Sequence, residues 1–407
     1  MPNPPTGHPV SNRLTHIDSL RGFALLGILI VNFEYFNRPL QAVVMGAEPG
    51  LAGFDLVIDR LIAVLAEGKF YPLFSMLFGA GFALMAERFL DRGTPFWGIY
   101  LRRIFFLGLF GLAHALLVWA GDILLIYSLL AFVMVLLFRK TPLKRLWKWA
   151  LFFIFLPALV YGALALMLWP TQFDEPLHAE ITAEFEQSAA EIRTTIERAE
   201  SVHASGSYRD NIGQRINDLR FTLTNALFWV PPMLGFFLLG RWLIGSQRLT
   251  HPSEHKLFFR RWRSRGLVVG LVFAVIATVM LERLDLIFPT AALTLAMVLA
   301  LAAGALLSMA YLSILILAAE RVRFLAPAGQ MALTNYLAQS LFWTWMIYGH
   351  GLGLWGQLPR WSHLFLALAF FAVQVVISRW WMQRFRFGPA EWLWRTLTYW
   401  QLQPMRN

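Results

Sequence analysis

Residues 291–319 read AALTLAMVLALAAGALLSMAYLSILILAA, 29 positions without one Asp, Glu, Lys, Arg or His. At 1.5 Å per residue a helix of that length runs about 43 Å, longer than the roughly 30 Å hydrocarbon core of a bilayer. A helix apolar all round belongs in lipid or deep inside a large protein. The segment therefore predicts a membrane span, and Pro289 and Gly304 leave room for a kink or a break in it. Runs of the same character recur at 19–36, 70–87, 101–120, 123–138, 149–169, 221–244, 266–281, 328–348 and 362–382. Ten spans follow, of which the fourth and seventh are short.

Composition points the same way. Hydrophobic residues make up 58% of the 407 positions and charged residues 14%, about half of what soluble domains carry. The net charge of +11 would suggest nucleic acid in a soluble protein. Here the basic residues occupy short links between apolar runs, so the expected partner is the lipid bilayer and no nucleic acid. There is no cysteine, which excludes disulfides, thiolate metal sites and cysteine nucleophiles. Arg13 and Arg21 lie ahead of the first apolar run in the manner of a secretion signal. The nearest small-residue site, around Ala47, lies well past the end of that run at Phe33, so the run reads as an uncleaved anchor.

Basic residues also orient the spans. With the amino terminus inside, the inner pieces are 1–21, 88–103, 139–148, 241–265, 320–323 and 379–407, and they hold 25 of the 35 Lys and Arg residues. The outer pieces 37–69, 120–122, 170–220, 282–290 and 349–361 hold the other 10. Nine or eleven spans would put a basic link on the wrong side. The expectation is an all-α bundle of about ten transmembrane helices in a bacterial cytoplasmic membrane, with both termini in the cytoplasm.

One outer piece is long. Residues 170–220 carry ten acidic and five basic side chains, and Ile181, Phe185, Ile192 and Ile196 share one helical face ahead of a turn at Ser205-Gly206-Ser207. A helical hairpin over the outer mouth is expected, either as a solvated strap or as a lid. The chain then divides into a membrane half at 1–169, the hairpin at 170–220, a second membrane half at 221–387 and a cytoplasmic tail at 388–407. In that tail Pro389 suits a first helical turn, Glu391 and Arg395 are four apart, and Trp392, Trp394 and Trp400 suit a membrane surface. It reads as a short interfacial helix.

Five stretches together resemble a known family. They are Asp18-Ser-Leu-Arg21-Gly22 running on to Asn32, Phe74-Ser-Met-Leu-Phe-Gly79-Ala-Gly81, His114 with Gly121-Asp122, Gly329-Gln330-Met-Ala-Leu-Thr334-Asn335-Tyr336, and Gly388-Pro-Ala-Glu391-Trp-Leu-Trp-Arg395. In this order they resemble the YeiB-like bacterial membrane proteins, a family defined by a domain of unknown function. More distantly, the Asp-x-x-Arg-Gly opening is similar to that of membrane-embedded acyltransferases, which move an acyl group from cytoplasmic acyl-CoA to an acceptor on the far side. In one branch of those enzymes a catalytic histidine stands eleven residues after the arginine, where this chain has Asn32. The heparan-type N-acetyltransferase branch has an asparagine there and a histidine shortly afterwards. No histidine lies between Asn32 and Phe70, so the resemblance carries the scaffold more than the chemistry.

Ionisable groups inside spans are costly and mark candidate sites. His114 sits on the third span near its outer end, where imidazole suits a general base; the alternative is a helix-bridging hydrogen bond. Asp122 opens the fourth span, where a carboxylate caps exposed N–H groups. Along one straight helix, eight residues would place it about 12 Å from His114. It reaches the imidazole only if the turn at Gly121 folds back, and the cap is the favoured reading. Asn32 would donate to an oxyanion, or it faces headgroup water together with Glu34. Asn335 and Gln339 share a face and read as interhelical hydrogen bonders. Inside, Arg21 with Arg261 and Arg263 would hold the phosphates of an acyl-CoA-type donor, although positive-inside topology alone accounts for that loop. No metal is implied. Three functions stay open: a transmembrane acyltransferase-like enzyme with an extracytoplasmic acceptor, a transporter or export factor for a small amphiphile or peptide, and a non-catalytic membrane component.

Overall fold

The computed structural model describes residues 14–44, 50–91, 96–284, 286 and 288–406, so Arg13 and Ala47 lie outside the described residues. In chain order the helices are α1 (Thr15–Asn37), α2 (Leu40–Val44), α3 (Gly53–Leu65), α4 (Phe70–Asp91), α5 (Phe96–Leu117), α6 (Leu124–Val133), α7 (Leu143–Leu168), α8 (Glu175–Ser205) and α9 (Tyr208–Thr224). They continue as α10 (Ala226–Gly245), α11 (Lys256–Arg261), α12 (Leu267–Leu281), α13 (Ala291–Leu317), α14 (Ala326–Gln330), α15 (Ala332–Ile347), α16 (Arg360–Met382) and α17 (Pro389–Tyr399). The protein is an all-α polytopic membrane bundle. Among the described residues, eight helical stretches are long and apolar enough to cross a bilayer: 15–37, 53–86, 97–117, 143–173, 226–245, 256–281, 291–317 and 360–382. Two more apolar segments stand where the fourth and ninth spans are expected, and both are shorter. They are α6 with its wider-wound extension Met134–Phe138, and α15.

Helix α1 is the axis of the bundle. Leu20, Ala24, Leu25, Leu29, Phe33 and Phe36 are all fully enclosed, and α4, α13, α14, α15 and α16 pack around them. Because it is surrounded, α1 is apolar on every side rather than along one stripe. It crosses α14 at contact distance, where a Cβ on Gly329 would strike the Asp18 carbonyl at 1.9 Å.

The pieces that carry most of the basic residues meet at the Arg21 end of α1. There His16 Nε2 donates to the Leu249 carbonyl at 2.8 Å and Trp394 Nε1 to the Arg103 carbonyl at 2.9 Å. The remaining links meet at the Asn32 end. Gln41 Nε2 donates to Asp218 at 2.8 Å, the Gly349 N–H to the His203 carbonyl at 2.8 Å, and Arg360 Nε to Asp59 at 2.9 Å.

Three details depart from the sequence expectation. Helix α13 is continuous from Ala291 to Leu317: Pro289 falls before its cap at Thr290, and Gly304 makes room for the Gly68 carbonyl instead of a kink. The break falls in the ninth segment, at Met331 between α14 and α15. The seventh span is not short, since helix continues from Lys256 to Leu281 through a wider-wound stretch at Trp262–Gly266. Helix α3 escaped the sequence reading, although Phe54, Val57, Leu61 and Leu65 line one exposed face and Ile58 and Ile62 the buried one.

The break at Met331 accounts for the tail. Backbone groups freed in an apolar setting need partners. The Asn335 amide donates to the Ala328 carbonyl at 3.1 Å and to Ser378 at 2.9 Å. Glu391 accepts from the N–H groups of Leu333 at 2.6 Å and Thr334 at 3.2 Å, and from the Thr334 hydroxyl at 2.5 Å. Burial pushes the Glu391 carboxyl above its ordinary range, and these hydrogen bonds pull it back. Helix α17 therefore begins with Pro389 as expected, but it docks against α5 and α15 and Trp394 lies beneath the Arg103 guanidinium at 3.8 Å. Glu391→Ala is expected to lower stability by about 1–3 kcal/mol, the cost of orphaned buried donors. Glu391→Gln should fall between it and the parent in thermal melts of detergent-solubilised protein.

Candidate functional site

The site is built where α5 turns into α6 at the Asn32 end. The two helices approach closely because Gly111 has no side chain; a Cβ there would lie 2.2 Å from the Leu125 nitrogen. The connection at residues 118–123 then reverses the chain tightly, and the N–H groups of Val118 and Trp119 both close onto the His114 carbonyl at 2.9 Å. Asp122 is carried back over the end of α5. One carboxylate oxygen accepts the Leu125 N–H at 2.8 Å, and the other lies 2.8 Å from His114 Nδ1. The expected cap and the expected imidazole partner are thus one residue doing both, and the 12 Å separation of a straight helix does not apply. Both side chains are almost fully enclosed, with 2% and 1% of their surface exposed.

A carboxylate oxygen accepts hydrogen bonds, so Nδ1 is the donor to Asp122 and Nε2 is the ring nitrogen turned away from it. That nitrogen is buried and has no hydrogen-bond partner among the described residues. The Tyr336 ring packs on the imidazole with centroids 5.4 Å apart, and its hydroxyl accepts the Ile123 N–H at 3.3 Å.

On the other side of this wall lies a cavity of about 80 Å³, lined by Ile28, Asn32, Gly68, Gly121, Ile123 and Tyr336 among others. Asn32 is half-buried on it, and its amide makes no hydrogen bond among the described residues. His114 and Asp122 do not line the cavity; Gly121, Ile123 and Tyr336 stand between. Glu34 does not face water. It is buried, accepts from Arg38 at 2.8 Å and pairs with Arg360, which also holds Asp59, while His363 Nδ1 stands 3.5 Å away. This network ties α1, α3 and α16 around the site, and nothing in the linear spacing of those residues announces it.

Helices α8 and α9 form the expected hairpin, turning at Gly206 with Ser207 and Asp210 in a reciprocal cap. It rests directly on the helix that carries His114. The Leu117 carbonyl accepts from the Tyr208 hydroxyl at 2.6 Å and from Arg215 at 2.9 Å. Inside the hairpin, His203 Nδ1 meets Asn211 at 2.8 Å, and the imidazole packs at a tilt against Tyr348 and Trp355. Burial lowers the His203 pKa and raises that of Asp218.

At the opposite end Arg21 is held by Asp18 at 2.9 Å, eleven residues down α1 from Asn32 and so roughly 16 Å away. Arg261 and Arg263 are exposed on the surface stretch that leads into α12. Arg103 stands within electrostatic reach of both Arg21 and Arg395, the latter brought in by the docked tail. Asn335 and Gln339 do bond across helices, as expected: the Gln339 amide donates to Gln374 at 2.8 Å, and Gln374 donates to the Asn335 carbonyl at 3.0 Å.

Comparison with known proteins places this architecture. Residues 243–401 match a family model described as a protein of unknown function, DUF418. The uncharacterised protein YxaH of Bacillus subtilis is 34% identical over 416 aligned residues, covering 97% of this chain and 96% of its own length. The chain belongs to the YeiB-like DUF418 family. The uncharacterised protein YeiB of Escherichia coli is 28% identical, covering 94% of this chain and 95% of its own. An uncharacterised 39.9 kDa protein from Bacillus acidopullulyticus is 26% identical, covering 96% and 95%. No solved structure matches. The stretch matched by the family model contains Tyr336, Asn335 and Glu391, while Asn32, His114 and Asp122 belong to the part that the full-length relatives cover.

Asp122→Ala removes a cap and orphans a buried imidazole, and is expected to cost about 2–4 kcal/mol. Asp122→Asn keeps an acceptor for the Leu125 N–H but donates to Nδ1, which moves the imidazole proton to Nε2. Nitrogen-15 spectra of labelled histidine should show that tautomer change at near-parental stability.

Proposed function

We propose that this protein is a transmembrane acyltransferase-like enzyme of the bacterial cytoplasmic membrane. It crosses the bilayer ten times with both termini in the cytoplasm, takes an acyl group from an acyl-CoA-type donor inside, and delivers it to an acceptor outside. The observation that carries this reading is the buried His114–Asp122 pair, 2.8 Å apart with Nε2 unengaged, one wall away from the cavity on which Asn32 stands. A carboxylate that fixes the imidazole tautomer prepares the other nitrogen to take a proton.

In the step, an acceptor O–H or N–H adds to the thioester carbonyl carbon and its proton passes to His114 Nε2. That passage requires the wall of Gly121, Ile123 and Tyr336 to open or a water to bridge it, since His114 does not itself line the cavity. The tetrahedral oxyanion collapses, the C–S bond breaks, and the thiolate leaves with the proton returned by the imidazolium. Acyl–S–R and H–X become acyl–X and H–S–R. Asn32 would donate to the oxyanion. The sidedness is supported by the excess of Lys and Arg in the pieces that meet at the Arg21 end. There Arg21, Arg103 and Arg395 suit donor phosphates better than the exposed Arg261 and Arg263.

A second reading, transport of a small amphiphile, is favoured by the interrupted helix at Met331, since broken helices with satisfied backbone often mark substrate paths. Proteoliposomes with acyl-CoA on one side separate the two. The enzyme reading expects transfer that falls about 10²- to 10⁴-fold in His114→Gln. Solute flux that survives this substitution, with no acyl product, would sink it.

A further inference from the structure

Tyr336 belongs to the Gly329–Tyr336 run singled out in the sequence, and the roles found for Asn335 and the Met331 break leave it unexplained. It is buried, its ring packs on His114, and the residue lies on the wall of the cavity that Asn32 also lines. That hydroxyl oxygen already accepts the Ile123 N–H at 3.3 Å. A phenol has one hydrogen to donate, and accepting a hydrogen bond polarises it and makes it a better donor. Among the described residues no acceptor takes that hydrogen. The residues that line the cavity therefore bring two unspent donor groups, the Tyr336 hydroxyl and the Asn32 amide, beside walls formed by Ile28, Val31, Ala66 and Phe70.

Size limits what such a space can hold. At about 80 Å³ it is roughly half of an engineered 150 Å³ cavity that accepts benzene, so it has room for an acyl group of about two to four carbons. A long fatty chain exceeds this space and would have to run out through its open side.

We propose that this cavity is the acyl pocket of the transfer reaction, that it selects short acyl groups, and that the Tyr336 hydroxyl is a second donor to the acyl oxygen beside Asn32. The inference rests on the acyltransferase reading and adds to it a substrate class and a residue. Of the residues on the wall, Tyr336 touches both sides, the imidazole behind it and the cavity in front. It is therefore placed to sense the acyl oxygen at the moment His114 is protonated, when charge on that oxygen is greatest.

The test is a series of acyl-CoA donors of two to twelve carbons, run on the parent protein, Tyr336→Phe, Ile28→Ala and His114→Gln in liposomes. The parent is expected to prefer the shortest donors. Tyr336→Phe keeps the ring and should lower kcat by about 10²-fold at nearly unchanged KM. Ile28→Ala should shift the preference towards longer chains. Non-reactive thioether analogues of the same lengths, bound to His114→Gln, read the pocket without turnover and should show the same cut-off in length. Equal use of all lengths by the parent overturns the pocket, and so does equal binding of all analogues. A Tyr336→Phe protein with parental kcat overturns the donor role while His114→Gln still reports on the chemistry. If the parent transfers no acyl group and binds no short analogue, the acyltransferase reading falls and this inference falls with it.

Discussion

A hydrocarbon interior has no water to offer a backbone group that has lost its partner, and each one left bare there costs several kcal/mol. Much of this structure answers to that rule. The helix break at Met331 exposes carbonyls on one side and N–H groups on the other. Asn335 reaches back to the first set, and Glu391, arriving from the tail 57 residues later, takes the second. The start of α6 meets the same demand through Asp122. In both places one carboxylate satisfies a helix start and engages a further group with its second oxygen, so a backbone necessity and a tertiary contact are met by one side chain.

The same economy frames the site. Bringing Asp122 back over the end of α5 requires the close approach at Gly111, and that approach delivers the carboxylate to His114. Around it, Glu34, Arg38, Arg360 and Asp59 bind α1, α3 and α16 into one frame. Charges this well buried are tolerated because each has an opposite partner within reach. The hairpin is anchored on the Leu117 carbonyl, one turn beyond His114, so its hold on the bundle and the geometry of the site are mechanically joined.

Some of this was legible in the linear chain because the signal was local. Apolar runs of span length, the turn at Ser205–Ser207, Pro389 at a first helical turn, and Asn335 with Gln339 four residues apart each depend on neighbours within about a turn. The break was misplaced for a physical reason. Proline and glycine mark where a helix can weaken, whereas a break also needs partners for the groups it frees, and those partners sit on α17 and α16. The docking of the tail was not legible for the same reason: its tryptophans suit a membrane surface, and only the fold shows that Trp394 also packs on Arg103. Helix α3 was passed over because its apolar face is too short to span.

The sequence by itself determined that this is a helical membrane protein, roughly where its spans lie, which links are basic, and that it resembles the YeiB-like family. The spans follow from transfer energies that add residue by residue along the chain, and the resemblance from short motifs read in order. The tertiary structure decided that His114 meets Asp122, that Glu391 closes a helix break, that Arg103 stands near both Arg21 and Arg395, and that Tyr336 separates the imidazole from the cavity. Those are pairings between distant segments. Their energies depend on close approach and relative orientation, which no sum along the chain contains.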